Sequence, residues 1–196
     1  MAFLRAFIAR QAFGTPPFLF VATFAVMCAV THESVAIADE QEQFSRHDVE
    51  AAYIVNFVKY VEWPEATFPD AKSPFTIGIL GENPFGDTLA KLASEQDLNG
   101  RGIAITHSND VNDLTTCHIV YIGAASEDEP PPDLSAFEGK PVLTVSERKD
   151  FARDGGAVNF VQVDSKVKFE INLKAAKRVD LKVSSRLLKL AIKIFK

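Results

Sequence analysis

Short apolar segments recur along the chain, and they constrain the fold more than any other feature of the sequence. Residues 75–80 (FTIGIL) form an uninterrupted apolar run rich in β-branched residues, without the alternation typical of a strand exposed on one face. Similar segments follow at 103–106, 118–122 and 142–145, separated by helical or loop stretches. Strands that alternate with crossovers in this way predict a parallel sheet covered by helices.

The C-terminal third is typical of an antiparallel hairpin. Segments 157–163 and 167–173 flank the turn residues 164–166 (DSK). In the second segment polar and apolar residues alternate, so we expect Glu170 and Asn172 on an exposed face. The expected fold is α/β, a three-layer sandwich whose mixed sheet of about six strands is mostly parallel and Rossmann-like, with this hairpin at one side.

Two amphipathic stretches predict helices. The stretch 45–62 begins with a capping box of Ser45 and Asp48 and is followed by Pro64. Its predicted apolar face, at helical spacing, consists of Val49, Ala52, Tyr53, Asn56, Phe57, Tyr60 and Val61. A last helix is expected from about Ser184. Its basic side chains would form one stripe opposite the apolar face: Arg186, Lys189, Lys193 and Lys196.

The first 38 residues have the pattern of a secretory signal peptide. Arg5 and Arg10 precede an apolar run of 13 residues (18–30), and an Ala-x-Ala sequence ends at Ala38. We expect export and cleavage after Ala38; an uncleaved membrane anchor is the alternative, although spanning a bilayer takes about 20 apolar residues. We also expect residues 39–46 to be a flexible segment and residues 47–196 to form the α/β domain.

Composition and local motifs argue against several classes of protein. A net charge of −5 disfavours a nucleic-acid binder, which needs clustered positive charge. Two cysteines cannot build a disulfide framework, and Cys117 would be the only thiol after cleavage. The sequence has no G-x-S-x-G elbow, and neither His-x₃-His nor Cys-x₂-Cys occurs. No enzyme activity, metal site or cofactor is therefore predicted, and a hydrolase using His107 and His118 is the weakest alternative.

Residues 81–86 (GENPFG) suggest an alternative function as a small-ligand binding module. They follow the first predicted strand, with Asn83 as helix N-cap and Pro84 in the first turn. Rossmann-like folds bind small ligands at such a junction, although the spacing fits no P-loop. The residues expected to line this pocket are Gly81, Asn83, Phe85 and Gly86.

Positive charge is concentrated at the end of the chain. Residues 174–196 contain eight Lys or Arg and one acid, a net charge of +7. This segment is either a solvated helix face or a docking surface for an acidic protein or for anionic lipid headgroups.

Six segments together resemble the YfiR-like family of small periplasmic proteins from Gram-negative bacteria. They follow one another in order within residues 47–196: NFVKYVEWP (56–64), FTIGILGENPFGDTL (75–89), CHIVYIG (117–123), PVLTVSE (141–147), GGAVNFV (155–161) and FEINLKAAKRVDLKVSSRLLKLA (169–191).

The resemblance implies a non-enzymatic periplasmic regulator. Its expected partner is an inner-membrane sensor, a diguanylate cyclase or another signalling protein, which it holds inactive by binding the periplasmic domain, lowering cyclic di-GMP and biofilm formation. A second copy of the chain is a further candidate partner. Some relatives carry disulfides that sense redox state. We expect no such disulfide within this chain after cleavage, because Cys117 alone cannot form one. We expect these residues at the partner interface: Trp63 as hydrophobic anchor, Glu170, Asn172, Lys174, Arg178, Arg186, Lys189 and Lys193.

Overall fold

The computed structural model describes residues 44–123 and 133–196. The predicted signal peptide (1–38) and most of the expected flexible segment (39–43) lie outside the described residues. Within the described part of the chain, no helix is both long and apolar enough to cross a membrane.

A seven-stranded sheet forms the centre of the fold. The strands that the structure describes are, in chain order, β1 (Val61–Glu62), β2 (Phe75–Leu80), β3 (Ile103–Ser108), β4 (Ile119–Ile122), β5 (Leu143–Ser146), β6 (Val158–Val163), β7 (Lys166–Asn172), β8 (Lys182–Val183) and β9 (Lys193–Phe195). The strand order in the central sheet is β3-β2-β4-β5-β6-β7-β9. Strands β2 to β6 are mutually parallel, β7 runs antiparallel to β6, and β9 is parallel to β7. The predicted α/β fold is confirmed, and β9 adds a strand to the predicted six.

The four described α-helices are α1 (Arg46–Phe57), α2 (Thr88–Ser94), α3 (Leu173–Arg178) and α4 (Ser185–Leu190). All four contribute buried residues to one hydrophobic cluster, which also contains Ile77, Ile119 and Val145 from the sheet. A second cluster around Val120 and Ile122 is closed by 3₁₀ turns that supply Leu114 and Phe137. Both faces of the central strands are therefore covered, which explains why their sequences are apolar without alternation.

Helix α1 begins as predicted and ends earlier. Ser45 and Asp48 form the predicted capping box, with the Ser45 hydroxyl accepting from the Asp48 amide at 3.1 Å. The helix stops at Phe57, five residues before the predicted end at Glu62. The chain then turns into β1, which pairs with β8 through Val61 and Val183, so tertiary pairing ends the helix before Pro64 does.

The hairpin of β6 and β7 is confirmed, with a turn one residue shorter than predicted. Asp164 and Ser165 adopt φ angles of 48° and 60°, the left-handed conformation that two-residue type I′ turns require at both positions. Lys166 already pairs with Val163 as the first residue of β7.

The prediction that Asn172 is exposed was wrong. Asn172 ends β7, where its side chain is buried and caps α3. Its Oδ1 accepts from the Ala175 amide at 2.9 Å, and its Nδ2 donates to the Ala152 carbonyl at 2.7 Å. A strand that turns directly into a helix leaves helix N–H groups without partners, and an asparagine at the junction satisfies one of them.

The prediction of a single basic stripe along the last helix was also wrong, because α4 ends at Leu190. The backbone becomes extended at Ala191, and the Ile192 amide donates to the Phe169 carbonyl at 3.0 Å. Lys193 therefore belongs to a strand paired with β7, where it lies opposite Glu170. Arg186 and Lys189 stay exposed on α4, whereas Lys193 lies in β9 and Lys196 follows that strand.

Candidate functional site

A cluster of charged side chains lies at the carboxyl edge of the parallel strands. Glu147 directly follows β5, and Arg46 and Glu50 come from the start of α1. The Arg46 guanidinium bridges the two carboxylates: its Nε is 2.7 Å from Glu50 Oε1, and its Nη2 is 2.6 Å from Glu147 Oε2. Glu50 is 0% exposed, so this cluster places a carboxylate inside the hydrophobic core.

The helix that carries Arg46 and Glu50 is fixed at both of its sides. Arg46 and Glu50 are four residues apart, so they lie on the same face of α1. On another face, the Thr88 hydroxyl of α2 donates to Asp48 at 2.9 Å. These contacts hold the first turns of α1 over the sheet edge where Glu147 emerges.

The cluster contains buried polar atoms without partners. Glu50 Oε2 and the Tyr121 hydroxyl are both buried, and neither has a hydrogen-bond partner among the described residues. Burial raises the pKa of Glu50 against the opposing effect of Arg46. Burial, followed by the nearby Glu147 carboxylate, raises the pKa of the Tyr121 hydroxyl, which therefore stays protonated. Burying a polar atom without a partner is costly, which marks this cluster as a functional candidate.

His47 extends the cluster towards the surface. Its Nε2 lies 3.9 Å from Glu147 Oε2, and 39% of its side chain is exposed. Ligand atoms of His47, Glu50 and Glu147 all lie within 4.8 Å of one another. Local spacing rules did not predict this set, because α1 and the residue after β5 are far apart in the sequence. The one available signal was that Glu50 lies four residues before Ile54, on the face of α1 that is buried, although the predicted apolar face did not include it.

The position of the cluster in the sheet is one where open α/β folds bind ligands. Strand β2 lies between β3 and β4, so the chain first crosses to one side of β2 and then to the other. The carboxyl ends of β2 and β4 therefore form the crevice at a topological switch point. The predicted ligand segment 81–86 leaves β2 at this point.

The structure changes how the segment 81–86 is interpreted. Phe85 is buried and packs edge-on against Tyr121, with ring centroids 4.6 Å apart. The predicted helix start at Asn83 and Pro84 was wrong: Asn83 Oδ1 accepts from the Phe85 amide at 3.0 Å in a turn, and α2 begins at Thr88. Gly81 and Gly86 adopt positive φ angles of 80° and 51°, which the turn requires. Ligand binding by this segment stays a prediction.

Trp63 was predicted to be an exposed anchor, and that placement was wrong. Only 9% of Trp63 is exposed, and its indole N–H donates to the His118 carbonyl at 3.1 Å. Its ring packs edge-on against Phe75 and His118. The chain between α1 and β2 returns to the amino edge of the sheet, where this large side chain fills the end of the core.

Basic side chains line a groove at the amino edge of the sheet. The groove has a volume of about 530 Å³ and is lined by Leu173, Lys174, Lys177, Arg178 and Lys196. Its four cations are exposed, and the structure shows no ion pair between them and any described residue. We call these four residues the basic groove. Two residues predicted at the partner interface, Lys174 and Arg178, lie in this groove together with Lys177 and Lys196. Glu170, also predicted at the interface, is half-buried in β7.

Comparison with known proteins places the chain in a family. A solved structure, described as a conserved domain protein from Vibrio cholerae O1 biovar El Tor str. N16961, is similar in fold with a TM-score of 0.50 and 12% identity. The match covers 77% of this chain and 60% of that one, and at such low identity it shows the fold alone. The profile of the YfiR/HmsC-like family matches residues 47–192, most of the chain. The chain therefore belongs to the YfiR/HmsC-like family.

Proposed function

We propose that this protein binds the periplasmic domain of an inner-membrane diguanylate cyclase and holds the cyclase inactive, which lowers cyclic di-GMP signalling. Family membership supports a regulator of diguanylate cyclase in general. The observation that carries the finer proposal is the basic groove, four exposed cations for which the structure shows no ion pair to a described residue. An acidic patch on the cyclase domain is the surface that this groove fits.

The chemistry of the basic groove favours a protein partner with carboxylates. Lys174, Lys177 and Arg178 project from the short helix α3, and Lys196 faces the same groove from the end of the chain. Hydrogen bonds between such cations and carboxylates are strengthened by charge, and an Arg178 guanidinium can bind a carboxylate in bidentate fashion. Complementary charge also speeds diffusional encounter and disfavours wrong partners.

Repression requires that the protein bind one state of the cyclase better than the other. A ligand with equal affinity for two conformations shifts neither, so the basic groove must meet an acidic patch that is arranged for binding only in the inactive cyclase. Arg186, Lys189 and Lys193 are exposed but do not line the groove, and they would mainly steer the approach of the partner.

The experiment is a titration of the cyclase's purified periplasmic domain against the protein at low and high salt. The variant Lys174→Glu/Lys177→Glu/Arg178→Glu should lose affinity by about tenfold or more and show a weaker salt dependence than the wild type. The matched control is Lys72→Glu/Lys91→Glu/Lys149→Glu, which makes the same change in charge at three exposed lysines outside the groove. Thermal unfolding of each variant tests whether the fold is retained.

Equal affinity of the groove variant and the wild type would overturn the proposal. Equal loss in the control would assign the effect to total charge and overturn it as well. Binding to vesicles of anionic phospholipid, without binding to the cyclase domain, would replace the protein partner with a membrane surface.

A further inference from the structure

We propose that His47, Glu50 and Glu147 bind a divalent transition-metal ion, Zn²⁺ in particular, at the carboxyl edge of the sheet. The three residues each offer a ligand atom, and these atoms lie within 4.8 Å of one another. An imidazole nitrogen and two carboxylate oxygens are a ligand set that Zn²⁺ accepts, with the remaining position left for water or another ligand.

An unpartnered atom inside the cluster points to a missing ligand. Glu50 is fully buried, and Arg46 occupies only its Oε1, while Oε2 has no hydrogen-bond partner among the described residues. A bound cation would contact this oxygen and relieve the cost of leaving it desolvated. The buried Tyr121 hydroxyl, also without a partner, adds a polar group to the same surroundings.

The balance of charge also leaves room for a cation. Glu50 and Glu147 supply two negative charges, and Arg46 neutralises one of them. His47 binds a metal ion only in its neutral form, so it adds a ligand without adding positive charge. The guanidinium can keep its bond to Glu50 Oε1 while Oε2 binds the ion, because the two oxygens of one carboxylate can serve different partners.

The geometry requires small movements of the two outer ligands. Zinc bonds of about 2.0–2.2 Å place tetrahedral ligand atoms about 3.4 Å apart. His47 and Glu147 have side-chain exposures of 39% and 17%, so both can adjust, whereas the buried Glu50 stays fixed. The Phe85 ring, 6.3 Å from the His47 ring, closes one side of the cluster.

The ligand types favour a transition metal over Mg²⁺ or Ca²⁺. Those hard cations prefer ligand sets made of oxygen atoms, and the imidazole nitrogen of His47 is a poor ligand for them. Imidazole suits Zn²⁺, Ni²⁺ and Cu²⁺, which differ in affinity in the Irving–Williams order. Of these ions, Zn²⁺ is best suited to a four-coordinate site in which the protein supplies three ligands and water the fourth.

The test is isothermal titration of the untagged, metal-free protein with Zn²⁺ in a non-coordinating buffer, with Co²⁺ absorption as an independent readout of coordination. We expect one ion per chain, and a rise in melting temperature because the ion binds the folded state. His47→Gln and Glu147→Gln should each weaken Zn²⁺ binding by about tenfold or more. His107→Gln and Glu138→Gln, which change the same residue types at exposed positions outside the cluster, should leave it unchanged.

Two outcomes would overturn the metal site. One is the absence of both binding heat and a melting shift with Zn²⁺ in large excess. The other is Zn²⁺ binding that His47→Gln and Glu147→Gln do not weaken, which would place the ion elsewhere. Both substituted side chains are partly exposed, and a melting curve without metal tests whether each variant folds. The measurement needs no partner protein, so its result is independent of the proposed binding to a cyclase.

Discussion

The Nδ1 atom of His118 accepts a hydrogen bond from the backbone N–H of Thr76 at 3.0 Å. Because the amide can only donate, the ring proton resides on Nε2, which is buried without a partner among the described residues. The imidazole stacks on Phe68, with centroids 4.5 Å apart, and Arg101 covers the Phe68 ring. Burial, with a smaller contribution from Arg101, lowers the pKa of His118 to about 4.

This histidine should make the protein less stable in mild acid. The unfolded chain binds a proton at an ordinary pKa near 6.5, and the folded chain binds it only near 4. The unfolded state therefore binds more protons between these values, so the free energy of unfolding falls as the pH drops through this range, by roughly 3 kcal/mol in all.

Urea denaturation at several pH values tests this prediction against the variant His118→Asn, whose Oδ1 can accept from Thr76. We expect wild-type stability to exceed that of the variant most at pH 7, and the difference to shrink towards pH 4.5. His107→Asn, at an exposed histidine, should show no such convergence. A difference that stays constant with pH would show that His118 does not titrate as described.

Gly123 should not tolerate a side chain. A Cβ there would lie 2.7 Å from the Glu82 carbonyl oxygen and 3.2 Å from the Glu82 amide, both backbone atoms. We expect Gly123→Ala to lower the free energy of unfolding by about 1–3 kcal/mol, because the loop after β2 must shift. The control is Gly102→Ala, where a Cβ meets no atom of the described residues within 4 Å, and its effect should stay within about 0.5 kcal/mol in chemical denaturation. Equal effects of the two substitutions would contradict the described packing.

Trp63 should act on stability and not directly on partner binding. Removing its buried ring by Trp63→Ala leaves a cavity beside Phe75 and should cost about 3–5 kcal/mol, measured by denaturant unfolding followed by circular dichroism. Phe44→Ala, at a ring that is 71% exposed, should cost little. A Trp63→Ala variant of unchanged stability that loses its partner would instead support the original prediction of an interface anchor.

Cys117 should be inert in the folded protein. Its thiol is buried in the second hydrophobic cluster, and burial raises its pKa. In a Cys28→Ser variant, where it is the remaining cysteine, we expect reaction with a disulfide reagent to be roughly 100-fold slower in native buffer than in denaturant. Rapid native labelling would mean that this face of the sheet opens readily.

The strands were predictable from the sequence because their burial is continuous. Phe75–Leu80 was predicted with its observed bounds, and the hairpin followed from alternation around Asp164 and Ser165. The end of the chain was not predictable in this way. Leu190 and Ile194 fit a helical face as well as a strand, and pairing of β9 with β7 decides between them.

The candidate site was harder to predict than the fold. The predicted apolar face of α1 included Val49, Ala52 and Asn56, whereas the residues buried in the structure include Glu50 and Ala51. The predicted apolar face is thus rotated about the helix axis relative to the buried face, and it places Glu50 on the solvent side. Glu50 and Glu147 are far apart in the sequence, so their spacing predicts no contact. The packing of α1 on the sheet brings both carboxylates to Arg46.

The reversal of chain direction at Asp164 and Ser165 has a consequence for signalling. It returns the chain to the amino edge, so the basic groove and the proposed ion site lie at opposite rims of the sheet. The four residues of β5 span roughly 13 Å between these two rims. A cyclase and an ion could thus be held at once without competing for space. Any influence between them would be allosteric and reciprocal. If ion binding weakens the affinity for the partner tenfold, partner binding must weaken the affinity for the ion tenfold.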